Sequence, residues 1–158
     1  MDPSRSPATP DDQMRQAEDD TGAQPDAGLL TVDFRAVDLG RLRSAVRDRS
    51  RGWGLAGPRL ARFVLAVHEG CANAVQHGGG RGRLVLWRRA DRLCCRITDE
   101  GPGIPAKWHL DGHRRRDGVM PPRGLWLINY VCDQVRLSSD RTGTTLLLDL
   151  RIPAPYDD

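Results

Sequence analysis

Three polar side chains recur at one-turn intervals along one apolar-periodic segment of the sequence. Glu69, Asn73 and His77 are spaced i, i+4, i+8, so on a helix they form a single row. The row lies off the apolar positions of the segment and therefore faces a cleft or solvent. The carboxylate suits a general base, and the carboxamide oxygen suits Mg²⁺ held partly by substrate phosphates. A solvated helix face has the same spacing, so both interpretations stay open.

A second candidate group follows an apolar run that ends at Asp99. Gly101 and Gly103 come just after it, and glycines there let the backbone approach a flat ring. Because an ionised carboxylate only accepts hydrogen bonds, Asp99 matches the exocyclic amine of adenine. An ordinary Asx-type turn has the same composition.

The third group is Arg123-Gly124-Leu125, which opens a predicted helix after a loop. Free amides at a helix N-terminus and a basic side chain make an anion site, which points to phosphates. A plain helix start would look the same. Near the C-terminus, Thr144 enters the last strand, where its hydroxyl could reach adenine directly or through water, although a turn-to-strand transition explains it equally well.

Apolar periodicity predicts the elements that must position these groups. Residues 30–34 alternate as a first strand, and Asp38 is predicted to cap the helix that follows it. The polar row lies on a helix from Pro58 to Gly78. The runs 84–87 and 93–97 predict a hairpin whose second strand ends at Asp99. A helix from about 124 to 135 and strands over 135–138 and 144–152 complete the domain.

This order of elements predicts an α+β fold, a two-layer sandwich with a mixed, mostly antiparallel sheet and helices on one face. Residues 105–122 show no periodicity, and a loop of that length in a compact domain is usually functional. Its three arginines, 114–116, could close over phosphates or could simply be solvated.

Charge divides the chain into a tail and a domain. Residues 1–27 hold seven acids and two arginines, a net −5, so the overall +3 leaves +8 for residues 28–158. The tail has four prolines and few large apolar residues, which predicts disorder. We expect one domain over residues 28–153 and a short tail, 154–158. A basic domain favours anionic partners, which include nucleotides, acidic proteins and nucleic acids.

The sequence shows no secretory signal and no apolar run near the roughly 20 residues of a membrane span. We therefore expect a soluble, cytoplasmic protein without membrane contact. The four cysteines form no CxxC pair, and we expect buried, reduced thiols.

Taken together, the order and spacing of these groups resemble the GHKL ATPases, which include gyrase, heat-shock protein 90 and histidine kinases. The resemblance covers roughly residues 30–152 and is strongest to RsbW-type anti-sigma-factor serine/threonine kinases. It is carried by Leu65-Ala66-Val67-His68-Glu69 before Asn73-Ala74 and His77-Gly78, then by the Asp99 and Gly124 segments. It implies a Bergerat-type ATP-binding fold, with the loop from about Pro105 to Arg123 as an ATP lid.

The resemblance also implies roles for single residues. Glu69 matches the catalytic carboxylate, and Asn73 matches the ligand of Mg²⁺. Asp99 lies in the adenine segment and Gly124 in the phosphate segment. The expected cofactors are ATP and Mg²⁺, and the expected binding residues are Asn73, His77, Asp99, Gly101, Gly103, Arg123, Gly124, Leu125 and Thr144.

Proteins of this type sequester a sigma factor and phosphorylate a STAS-domain anti-anti-sigma protein, commonly as homodimers, without direct nucleic-acid contact. The resemblance implies the same function here. One position departs from the pattern: Trp126 replaces a second glycine of the phosphate segment and is expected to narrow the phosphate side or alter the lid hinge. The alternative is therefore a nucleotide-binding regulatory module without kinase activity. Nucleic-acid binding by the +8 domain is a third hypothesis, without a recognition motif to support it.

Overall fold

The computed structural model describes residues 28–104 and 123–154, which form three α-helices and five strands. A 3-10 turn, Ala36–Asp38, follows the first strand. The helices are α1 (Leu39–Gly52), α2 (Gly57–His77) and α3 (Arg123–Val131). The strands are β1 (Leu30–Arg35), β2 (Arg81–Arg89), β3 (Arg92–Asp99), β4 (Gln134–Asp140) and β5 (Gly143–Arg151).

All five strands belong to one sheet with the order β1-β2-β3-β5-β4, and every neighbouring pair is antiparallel. The predicted hairpin of β2 and β3 is confirmed, with a tight turn at Ala90 and Asp91. Helix α3 connects β3 to β4, and the last hairpin pairs β5 with β3 and leaves β4 at the edge of the sheet. The helices pack on one face of the sheet, so the predicted α+β sandwich is confirmed.

The central helix, α2, fixes the position of the polar row because its opposite side is buried in the core. Phe63, Val64 and Val67 are buried against the sheet and the other helices, and fully burying such a side chain contributes about 1.5–3 kcal/mol. Gly70 lets the helix approach the sheet closely, since a Cβ there would lie 2.7 Å from Ile97 Cδ1. Packing of this kind leaves α2 little freedom to slide or rotate.

One predicted helix cap and one predicted helix end are wrong. Asp38 precedes α1 but makes no side-chain cap, because its carboxylate accepts the Arg35 amide at 2.9 Å within the 3-10 turn. The last helix ends at Val131 rather than near residue 135. There the Asp133 amide donates to the Asp149 carbonyl at 2.9 Å, and the Asp133 carboxylate accepts the Arg151 amide at 2.7 Å. These bonds to β5 draw the chain away from the helix.

The four cysteines are buried thiols, as predicted. Burial raises the pKa of Cys94 to about 11 and that of Cys132 to about 12, so both are protonated at neutral pH and react slowly. Within the described parts of the chain, no helix is long and apolar enough to cross a membrane.

Candidate functional site

The polar row of α2 borders the core at the side of α3. Glu69 and Asn73 are half-buried, whereas His77 at the end of the helix is exposed. Asn73 and His77 both line a small cavity between α2, α3 and the sheet. The prediction of a cleft therefore agrees with the position of these two side chains, and Glu69 lies one turn before Asn73.

The first turn of α3 lies directly against this row. A Cβ on Gly124 would be 2.8 Å from Glu69 Oε2 and 3.7 Å from Asn73 Nδ2. Only a glycine lets the start of α3 lie this close with Glu69 in its present position. The N-terminus of a helix favours negative charge, so the Glu69 carboxylate occupies a place where an anionic group is stabilised.

A second row of polar side chains crosses the end of the sheet on the face covered by the helices. Asp99 on β3 is directly opposite Thr144 on β5, and Thr144 is directly opposite Ser139 on β4. The hydroxyls of Ser139 and Thr144 are hydrogen-bonded at 2.8 Å, and Ser139 Oγ accepts the Ile104 amide at 2.7 Å. Ser139 was not predicted from the sequence. It holds both the predicted Thr144 hydroxyl and the segment after Asp99.

Asp99 is a partly buried carboxylate with backbone donors. Its Oδ1 accepts the Gly101 amide at 3.0 Å. Burial raises the pKa of Asp99 above its ordinary value and outweighs the opposing effect of hydrogen bonds from the amides of Gly101 and Thr144. Because protonation removes an acceptor, the ability of Asp99 to accept two further donors is lost at a higher pH than for an exposed aspartate.

The glycines around Asp99 face protein backbone in this structure. A Cβ on Gly101 would overlap Gly78, and a Cβ on Gly78 would lie 2.5 Å from Asp99 Oδ2. Gly103 has a φ of 87°, and a Cβ there would overlap the Asp140 carbonyl. Predicted contacts of Gly101 and Gly103 with a nucleotide therefore remain predictions, while their present role is to hold the Asp99 segment against α2 and the β4–β5 turn.

The two polar rows meet at the small cavity. Its volume is about 20 Å³, which is room for about one water molecule. Ligand pockets commonly measure about 300–1,000 Å³, so an adenine ring requires the walls to move apart. The lining residues are Gly70, Asn73, Ala74, His77, Ile97, Asp99, Ile104, Leu125, Leu137, Thr144 and Leu146.

Asp99 also borders a larger groove of about 740 Å³ near Gly78, Gly79 and the ends of β1, β2 and β3. Neither Asn73 nor Thr144 lines that groove. Five of the predicted residues line the smaller cavity, namely Asn73, His77, Asp99, Leu125 and Thr144, whereas Glu69, Gly101, Gly103 and Gly124 do not.

Leu125 and Trp126, which follow Gly124 in the phosphate segment, lie in different environments. Leu125 is 3% exposed and belongs to the apolar core, although it also lines the cavity. Trp126 is 47% exposed and its indole stacks on Tyr130, with the ring centroids 5.3 Å apart. Trp126 does not line the cavity, and the expectation that it narrows the phosphate side or alters the lid hinge remains a prediction. The Arg123 side chain, the predicted lid and arginines 114–116 lie outside the described residues.

The arrangement fits a magnesium nucleotide on two grounds. The Asn73 carboxamide lies beside the start of α3, with its Nδ2 3.7 Å from a Cβ placed on Gly124, and Mg²⁺ is commonly bound by one or two protein oxygens together with substrate phosphates and waters. The apolar walls formed by Ile97, Leu125 and Leu146 flank the Asp99 carboxylate, as a flat, amine-bearing ring requires.

Comparison with known proteins supports the family and the fold. Over 135 residues the chain is 27% identical to the serine-protein kinase RsbW of Halalkalibacterium halodurans. The aligned region covers 79% of this chain and 83% of that protein. The crystal structure of the RsbU and RsbW domains of a Mycobacterium tuberculosis protein superposes with a TM-score of 0.62 at 18% identity. That match covers 82% of this chain but only 34% of the two-domain chain, and it shows the fold alone.

The family described as histidine kinase-like ATPase domain matches residues 32–150, three quarters of the chain. The match includes both polar rows and the start of α3. The chain therefore belongs to the histidine kinase-like ATPase family of the GHKL superfamily.

Proposed function

We propose that this protein is an anti-sigma factor and protein serine/threonine kinase, which binds a sigma factor and phosphorylates a STAS-domain anti-anti-sigma protein with ATP and Mg²⁺. The observation that carries the proposal is the approach of Gly124, at the start of α3, to the Glu69 carboxylate. It supports the proposal because Glu69, the proposed catalytic group, lies beside the start of α3, the proposed phosphate end of the site, while Asp99 lies at the other end. The 27% identity to a serine-protein kinase supports the choice of reaction.

In this proposal each end of the cleft has a different task. Asp99 accepts a hydrogen bond from the adenine amine, and Thr144 positions the ring with a hydroxyl that Ser139 holds at 2.8 Å. Asn73 is the magnesium ligand. When bound, ATP would supply the phosphoryl group and Mg²⁺ would neutralise the negative charge of the phosphates. Glu69 orients the attacking hydroxyl of the protein substrate, and such a group contributes about 10²–10⁴-fold to a rate.

Phosphoryl transfer depends mainly on positioning and on stabilisation of charge. The site provides positioning through close packing, since the core holds α2 and the Gly124 contact holds α3 against it. The cavity of about 20 Å³ also implies that ATP binding moves Leu125 or Ile104 outward. Nucleotide binding is thereby coupled to the position of the segments that precede α3 and follow β3.

The decisive experiment incubates the protein with γ-labelled ATP, Mg²⁺ and purified STAS-domain proteins. Glu69→Gln is expected to retain ATP binding by calorimetry and to lose at least about 10²-fold in transfer rate. Asp48→Asn makes the same chemical change at an exposed position of α1 and is expected to behave as the wild type. Absence of Glu69-dependent transfer to any tested STAS protein would refute the kinase proposal.

The same experiment separates the alternative. ATP binding without transfer in the wild type, unchanged in Glu69→Gln, would favour a nucleotide-binding regulatory module. Sigma-factor binding is measured separately with and without nucleotide. The homodimer and the cytoplasmic location belong to the proposal as well, and sedimentation of the purified protein across a concentration series tests the first of them.

A further inference from the structure

The sheet face that the helices leave uncovered, here called the outer face, concentrates positive charge. Alternation along the strands and their register place eight arginines and three aspartates on it, a net +5. This is more than half of the +8 carried by residues 28–158. The charged residues are Arg35, Arg81, Arg83, Arg89, Arg92, Arg96, Arg136 and Arg151, with Asp33, Asp140 and Asp149.

An apolar centre lies between these arginines. Trp87 is directly opposite Cys94, and the next cross-strand row carries Val85 and Leu147 on either side of Arg96. Trp87, Val85 and Leu147 are half-buried, and Cys94 is buried. The wet face of an antiparallel sheet is usually polar at these positions. A tryptophan with arginines around it is instead the composition that dominates binding surfaces.

The carboxylates of the outer face are already engaged. Arg83 pairs with Asp33 at 2.6 Å, and Arg92 pairs with Asp149 at 2.5 Å. Among the described residues no carboxylate pairs with Arg136, which is exposed on the edge strand β4. An occupant of this face must therefore bring its own negative charge.

We propose that residues 1–27 of the same chain bind across the outer face. Their net charge of −5 matches the +5 of the face. If a second copy bound with its own outer face, two surfaces of net charge +5 would lie against each other, and like-charge repulsion disfavours that arrangement. The tail leads into Gly28, which lies two residues before the edge strand β1 and whose carbonyl accepts a hydrogen bond from Arg49 of α1 at 3.1 Å. The inference concerns the sheet face away from the cleft and does not depend on the proposed kinase activity.

The tail is long enough for this binding mode. Four interstrand spacings of about 4.8 Å make the sheet roughly 19 Å wide. A flexible chain of 27 residues has an end-to-end distance of about 26–31 Å. The tail can therefore cross all five strands without being stretched, and its tether keeps its effective concentration in the millimolar range.

Helix α1 is the other basic surface near the start of the tail. It carries five arginines and one aspartate. At about 100° per residue, the arginines spread around the solvent side of the helix. The outer face differs because all of its arginines project to the same side around a tryptophan. Binding to α1 is a distinguishable outcome of the test below.

The test places a spin label at Ala17→Cys in the full-length chain and records the tryptophan indole N–H signals. The native cysteines react slowly because burial raises their pKa, to about 11 for Cys94. Trp87 reports on the outer face and Trp53, buried beside Arg49 of α1, reports on the helix layer. We expect the label to broaden Trp87 more than Trp53, and 1 M salt to abolish the difference, because the Debye length falls from about 10 Å to about 3 Å.

Matched variants test the charge contacts. Arg89→Gln with Arg136→Gln removes two charges from the outer face, and Arg43→Gln with Arg51→Gln removes two from exposed positions of α1. We expect only the first pair to reduce the broadening of Trp87. Neutralising Asp11, Asp12, Glu18, Asp19 and Asp20 as amides is expected to abolish it.

Three results would overturn the proposal. One is equal or stronger broadening of Trp53. Another is broadening of Trp87 that survives neutralisation of the tail. The third is broadening of Trp87 in chains that carry no spin label when they are mixed with spin-labelled chains, which would assign the face to the tail of a second copy. ATP binding, measured on the same samples, reports on the proposed nucleotide site separately.

Discussion

Replacing Gly124 with alanine is expected to stabilise the protein and at the same time to impair phosphoryl transfer. Gly124 is the second residue of α3, and alanine is more favourable than glycine in a helix by up to about 1 kcal/mol. For a chain of roughly 150 residues this corresponds to a rise in Tm of about 2–4 °C. The new Cβ would be 2.8 Å from Glu69 Oε2, the mobile end of a flexible side chain. The carboxylate can therefore move aside at low cost.

That movement is what impairs the reaction. Ordinary van der Waals contact begins at 3.4 Å, so Glu69 Oε2 must retreat by about 0.6 Å, and a misplacement near 1 Å can cost about 10²-fold in rate. We expect transfer from labelled ATP to fall by about 10-fold or more. Calorimetric ATP binding is expected to fall less, because Asp99 is at the other end of the cleft.

Gly40→Ala provides a matched control. Gly40 is the second residue of α1, and nothing lies within 4 Å of a Cβ placed there. It should gain similar stability without loss of activity. Wild-type transfer by Gly124→Ala would refute the inference that the Glu69–Gly124 contact sets the catalytic geometry, and a loss of stability in Gly124→Ala alone would show that Glu69 cannot move.

Three further predictions test the site and its support. Asp99→Asn should lose ATP binding, as measured by calorimetry. It should also raise the Tm at neutral pH, because burial raises the pKa of Asp99 and the ionised carboxylate therefore destabilises the folded protein above that pKa. The gain should shrink as the pH falls, and a growing gain would contradict it. Trp126→Ala should keep the ATP affinity. It should lower the free energy of unfolding in urea by about 0.5–1.5 kcal/mol, because the ring stack on Tyr130 is lost. Gly70→Ala should lower the free energy of unfolding by about 1–3 kcal/mol, because the new Cβ would lie too close to Ile97. An unchanged free energy of unfolding in urea would refute the close approach of α2 to the sheet at this position.

Local patterns predicted the parts of the site that depend on one element. The 3.6-residue period of α2 predicted that Glu69 and Asn73 share a side, because the buried face of a helix fixes its rotation. The hairpin pattern predicted that Asp99 ends a strand, because the alternation of apolar residues and the tight turn together define where each of its two strands lies. These features need no knowledge of distant residues.

Features that depend on distant residues were missed. Ser139 belongs to the site because the register of β4 with β5 places it opposite Thr144, and one residue of slip would move it to the outer face. The end of α3 at Val131 depends on bonds from Asp133 to β5. The approach of Gly124 to Glu69 depends on how two helices pack. Single-element periodicity contains none of this information.

The position of Trp126 explains why a large residue is accepted where a small one was expected. Two residues along a helix correspond to a rotation of about 200°, so the side chain at 126 points almost opposite to that at 124. Gly124 therefore faces Glu69, while Trp126 projects outward and stacks on Tyr130. Among the described residues of α3, position 124 bounds the space beside the Glu69 carboxylate. We therefore predict that a Trp126→Gly variant gains flexibility in α3 without gaining space beside Glu69.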